Sequence, residues 1–260
     1  QDKVNFKNSY DNYISKYNEV VKLSNDILAK EDLINNIDKA NMDSAIAKHN
    51  DTLALFYTQA NKSIDIIATN KVNSAKSEIS ENLNGLKGEI DGLNDYIDGT
   101  FKNNIIDDAE RKAIAQNIET LNREKADIDK TYEVLYSNTY LEGQLKIDLR
   151  NNYEAFISKH SNTLNIIQGI LDKETLIDDT DRENMSNSFS ELNSSLSILA
   201  TNINRASEYV TIKSIEATKS ELQEQIKDAN DRIDDVISDV GGVIVDGIID
   251  EAESITIADN

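Results

Sequence analysis

The sequence predicts an elongated all-α protein in which three-helix bundle modules alternate with long coiled-coil linker helices. Three observations carry this reading. The 260 residues include no proline and only nine glycines. Proline breaks helix interiors and favours turns, so its absence fits long helices joined by few tight loops. Apolar residues recur at alternating spacings of three and four, which keeps them on one helical face. The chain also repeats itself at 143 residues. Ile105-Ile106-Asp107-Asp108-Ala109-Glu110 returns as Ile248-Ile249-Asp250-Glu251-Ala252-Glu253, and residues 1–117 lie on 144–260 without a gap, with roughly 34 identical pairs.

Residues 4–28 open the chain as an amphipathic helix. Phe6, Tyr10, Tyr13, Tyr17, Val20, Ser24 and Ile27 form its stripe. Four aromatics in a row could make a carbohydrate or base platform, but core packing is the commoner use of such a stripe. A short link follows at Lys30–Asn36, repeated at Lys173–Asp179. Asn35 and Asp178 are N-cap residues, each with an aspartate three residues on (Asp38, Asp181), a capping box with Asp in place of Glu.

From about Asp38 the helical pattern continues to residue 97, about 90 Å of unbroken helix at 1.5 Å per residue. Met42, Ile46, His49, Leu53, Phe56 and Ala60 form a broad stripe. Beyond Ile67 it narrows to Val72, Lys76, Ile79, Leu83, Leu86, Ile90, Leu93 and Ile97. The second copy reads Ile215, Lys219, Leu222, Ile226, Ala229, Ile233, Val236 and Val240. A two-in-seven seam is that of a coiled coil, in which the seam residues Lys76 and Lys219 would set register or oligomer state.

Gly99–Asn104 and Gly241–Gly247 are read as helix breaks. Asp107 then N-caps a new helix, with Glu110 completing the box. Ile114, Ile118, Leu121, Lys125, Ile128, Tyr132 and Leu135 give its stripe, and a turn over 137–143 leads into a helix over 144–171. Five segments result: a partial bundle (1–66), a coiled-coil linker (67–104), a three-helix bundle (105–206), a second linker (207–247) and the start of a further repeat (248–260). Both ends read as cuts through a longer array.

Composition narrows the function. A net charge of −21 opposes binding to nucleic acid phosphates or anionic lipid. Without cysteine there is no disulfide or thiol chemistry. No apolar run reaches the roughly 18 residues of a membrane span, so membrane insertion is not expected, and no signal peptide is visible.

The sequence offers no catalytic, cofactor-binding or metal-binding residue. Gly242–Glu253 places Gly247, Ile249 and Glu253 at positions six, eight and twelve of a calcium loop. Its first and third positions, Gly242 and Ile244, carry no side-chain oxygen, and Gly99–Glu110 fits no better. His49 and His160 lie on helical stripes and align with Leu192 and Tyr17, which points to packing rather than chemistry. Asp107-Asp108 and Asp178-Asp179 sit at helix starts, where the dipole favours negative charge.

The run Ile106–Ile114, with Leu121–Ile128, Tyr132–Asn138 and Leu141–Gly143, resembles helical repeats in large tail and minor structural proteins of phages and prophages of Gram-positive bacteria. Those repeats often begin Asp-Gly-x-Ile-x-x-Ala-Glu, which Asp246–Glu253 matches; Asn103-Asn104 replaces Asp-Gly in the first copy. The resemblance implies a virion tail-tip, baseplate or fibre protein, and carries over no catalytic residue. The expected role is that of a non-catalytic spacer that holds a receptor-binding or wall-degrading end at a distance. The expected partners are other tail or baseplate proteins and further copies of the chain, a trimer joined through the linker seams. The alternative is the stalk of a bacterial cell-surface adhesin.

Overall fold

A computed structural model describes residues 1–30, 34–100, 102, 104–173 and 176–243, with side chains up to residue 235. Among the described residues the chain is helical and contains no strand. Its helices are α1 (Asp2–Leu28), α2 (Asn36–Thr100), α3 (Asp108–Tyr136), α4 (Gly143–Leu171) and α5 (Asp179–Val243). The all-α class is thus the one the periodicity predicts. α2 and α5 each have 65 residues, and both their first and their last residues fall 143 positions apart.

Helix starts are set by local chemistry. At α3, Glu110 N–H donates to Asp107 Oδ1 (2.8 Å) and Asp107 N–H to Glu110 Oε2 (2.9 Å). At α5 the same exchange joins Asp178 and Asp181, both bonds 3.0 Å. At α2, Asn35 Oδ1 accepts from Ile37 (2.8 Å) and Asp38 (3.3 Å), while Asn35 N–H donates to Asp38 Oδ2 (3.0 Å). Each box satisfies amide donors that the first helical turn leaves without partners.

Helix continuity is less sensitive to glycine than the sequence reading assumes. α2 runs through Gly99 and α5 through Gly241 and Gly242. A glycine in a helix interior costs only about 1 kcal/mol relative to alanine, which flanking turns can offset. Positive φ occurs at Asn104 (64°) and Gly143 (62°). Asn104 occupies the position where the resembling repeats carry glycine, and asparagine is among the residues that tolerate this region. The second hexad, the last segment at 248–260 and most of the Gly242–Glu253 loop lie outside the described residues, as does part of the Lys30–Asn36 link.

The chain divides into two compact units. Unit 2 spans Thr69–Ser214 and contains the second part of α2, all of α3 and α4, and the first part of α5. One core unites these four stretches. α2 contributes Ile79, Leu83, Leu86, Ile90, Leu93 and Ile97; α3 contributes Ile114, Leu121, Ile128 and Leu135; α4 and α5 add Leu149, Phe156, Phe189 and Leu192 among others. The four α3 residues are seven apart, so one narrow line of that helix is sealed. Polar contacts between helices join them: Asn193 Nδ2 donates to Asp91 Oδ1 (2.8 Å), and Thr163 Oγ1 to the Ser188 carbonyl (3.2 Å).

Unit 1 comprises Gln1–Ala68 and the chain from Ile215 onward. Ile27, Ile34, Met42 and Ile46 form its small apolar core, against which Val20, Leu23, Leu28 and Ile233 pack. Phe56 sits among the aromatics of α1, 5.6 Å from Phe6 and 5.7 Å from both Tyr10 and Tyr13, ring centre to ring centre.

The unit boundaries fall at 68/69 and 214/215, near the breaks after 66 and 206 that stripe width suggests, but the second part of α2 belongs with the three-helix bundle in one unit. The sequence reading assigns 79–97 to a linker that pairs with other copies, whereas in the structure this seam shares a core with α3, α4 and α5 of its own chain. The seam lysines pair within the chain, Lys76 with Glu208 (2.9 Å) and Lys219 with Asp65 (2.5 Å). A two-in-seven stripe shows that a helix fits a narrow groove, but not whose groove it is.

Candidate functional site

The hexad that marks the repeat lies at one end of unit 2, where the chain enters α3. Asp107 has extended backbone (φ −79°, ψ 172°) and caps the helix, and Asp108 and Glu110 place negative charge in its first turn. Beside it, the segment before α3 is clasped to the segment between α4 and α5. Ile177 N–H donates to the Asn104 carbonyl (3.1 Å). Arg182 donates to the Asn104 side-chain oxygen, and Arg111 to the carbonyl of Leu171 at the end of α4. Ile106 and Ile177 close this end of the core.

A recess of about 790 Å³ opens between the two segments, lined by residues that include Ile105, Arg111, Lys173, Leu176 and Asp178. Its cations are committed within the chain. Arg111 serves the Leu171 carbonyl, and Lys173 pairs with Asp181 and, at 3.8 Å, with Asp178. The hydrogen bond that Lys173 donates to Asp181 raises the pKa of its ammonium above the usual value. Burial pushes the Asp181 carboxyl up, but Lys173 and the Asp178 amide more than offset this and hold it low. Among the described residues that line it, the charged side chains are thus engaged in contacts within the chain. The capping and clasping contacts hold two chain segments together, which is structural work.

The sequence places both histidines on packed stripes, and there they stand. His49 is buried in unit 1, 5.2 Å from the Tyr13 ring. His160 is buried in unit 2, and its Nε2 finds no hydrogen-bond partner. Burial, assisted by the Lys125 ammonium and opposed by Asp129, lowers its pKa to about 4. No group of three or more acidic or histidine side chains suited to a metal ion occurs among the described residues.

Sequence reasoning missed a polar cluster between α3 and α4. Lys125 bonds Asp129 (2.6 Å), and Tyr153 Oη donates to the other oxygen of Asp129 (3.0 Å). The Tyr153 ring stacks on Tyr132 at 3.7 Å with planes 2° apart. Burial, followed by the hydrogen bond to Asp129, raises the Tyr153 hydroxyl pKa. The signal available was Lys125 on an apolar stripe with an aspartate four residues on; what it lacked was the partner helix.

No protein-family model, curated protein or solved structure matches this chain. Its function is therefore argued from its own residues. No helix among the described residues is long and apolar enough to cross a membrane.

Proposed function

We propose that the chain is a non-catalytic helical spacer module of a phage tail-tip, baseplate or tail-fibre protein, built from a 143-residue unit. The observation that carries this reading is the pair of 65-residue helices α2 and α5, offset by one repeat length at both ends. Each begins at a capping box. A device that recurs at a fixed interval and performs no chemistry sets spacing. The resemblance of about 105–205 to phage and prophage tail repeats supplies the setting, and other tail or baseplate proteins are the partners it implies.

Homo-oligomerisation, trimeric by the same resemblance, would use surfaces other than the 79–97 seam, which is occupied within the chain. Gold-labelled antibody against this chain, imaged on particles released from an induced host culture, tests the reading. Label at the tail end of virions is the expected result. Label confined to the cell wall would replace it with the adhesin stalk.

A further inference from the structure

The register that relates the two halves of the chain pairs α1 with α4, the first part of α2 with the first part of α5, and the last part of α5 with the last part of α2. Unit 1 thus has counterparts for three of the helical stretches of unit 2. The fourth, α3, has none among the described residues of unit 1.

Burial follows this difference. On α4, Leu149, Phe156, His160, Thr163 and Ile167 are all buried. Their counterparts on α1 are Phe6, Tyr13, Tyr17, Val20 and Ser24, none of which is buried. Tyr17 is 48% exposed where His160 is 5% exposed. Tyr10 is 46% exposed, whereas its counterpart Tyr153 stacks on Tyr132 of α3 and bonds Asp129 of α3. The same holds for the seam. Ile79, Leu83 and Ile90 are buried in unit 2, while Leu222, Ile226 and Ile233 in unit 1 are only half-buried. Phe6 and Tyr13 pack against Phe56, while Tyr10 and Tyr17 leave about half of their surface open, an apolar edge along α1 of the kind that marks an interaction site.

We infer that unit 1 is a docking face for an α3-type helix. Its occupant is an amphipathic helix with isoleucine or leucine every seventh residue and a tyrosine to stack on Tyr10, lying along α1 as α3 lies along α4. What identifies this occupant is the chain's own repeat, in which the corresponding helices are covered by such a helix. The inference rests on unit 1 and the repeat, and does not depend on the phage-tail reading.

The test uses the full 260-residue chain and a fluorescein-labelled synthetic peptide of residues 105–140. Fluorescence anisotropy should show saturable one-to-one binding, and hydrogen exchange should show new protection over 6–24 and 42–60. A peptide carrying Leu121→Asp and Ile128→Asp should bind about tenfold more weakly or worse. Tyr10→Ser with Tyr17→Ser in the chain should weaken binding similarly. Tyr10 also meets the Phe56 ring and Tyr17 the His49 ring, so the melting point should fall slightly, and circular dichroism at the binding temperature should show the variant still folded. Absence of binding would overturn the proposal, as would protection confined to 108–171, which signals exchange with the resident α3. Protection of the α1 face without peptide, together with a mass that doubles with concentration, would also overturn it by giving the face to a second copy.

Discussion

Asp107 does a small, local job that the repeat makes recurrent. Its carboxylate accepts the Glu110 amide, and Glu110 returns the bond. Asp107→Ala should cost about 1 kcal/mol, the usual range for losing an N-cap. The loss should appear as faster hydrogen exchange in the first turn of α3. Rates unchanged there would remove the capping role. His160 makes a pH-dependent contribution. Its pKa is depressed to about 4 in the folded chain, against about 6.5 when exposed. Between those values the unfolded chain takes up the proton and the folded chain does not, so stability falls as pH drops from about 6.5 towards 4. At full effect the loss is on the order of 3 kcal/mol. An NMR titration should find one imidazole with no transition above pH 5, and His160→Leu should flatten the pH dependence of unit 2 over that window.

Among the elements, the second part of α2 behaves least as its pattern suggests. Leu86 and Ile90 are fully buried against helices of the same chain. Leu86→Ala should therefore destabilise unit 2 by roughly 2–5 kcal/mol, the range for a large-to-small change in a core. Its molar mass by light scattering should not change. A fall in mass on this substitution would restore the seam to an interface between copies. At α4, Gly143 holds φ +62° with open space around it. Gly143→Ala should cost about 1 kcal/mol through backbone strain alone. A chemical denaturation midpoint that does not move would show that the turn relaxes.

At the scale of the whole molecule, the two units differ in how well their cores are sealed. Unit 2 buries residues from four helical stretches, while the apolar cluster of unit 1 is small. Opening free energies follow buried apolar contact. Native-state hydrogen exchange should accordingly be slowest over 79–97 and the core of α3, and faster over 215–235. Equal protection in the two segments would contradict the unequal burial.

Much of this was legible in the residues. The absence of proline and the three-four spacing determine an all-helical chain. Asp-x-x-Glu, Asn-x-x-Asp and Asp-x-x-Asp determine where helices begin, because an N-cap is satisfied within one turn. The 143-residue register determines which residues are counterparts. Tertiary structure alone decided what the stripes face. The 79–97 seam lies in its own chain's core, Lys125 belongs to a cluster with Asp129 and Tyr153, and Tyr10 and Tyr17 of α1 are half exposed where their α4 counterparts are covered. The physical reason is one of range: capping and periodicity act over one to seven residues and are written in the sequence. A partner for an apolar face is chosen by packing between segments well separated in the chain, 24 residues for Asp129 and Tyr153 and 102 for Asp91 and Asn193, and a stripe carries no record of that choice.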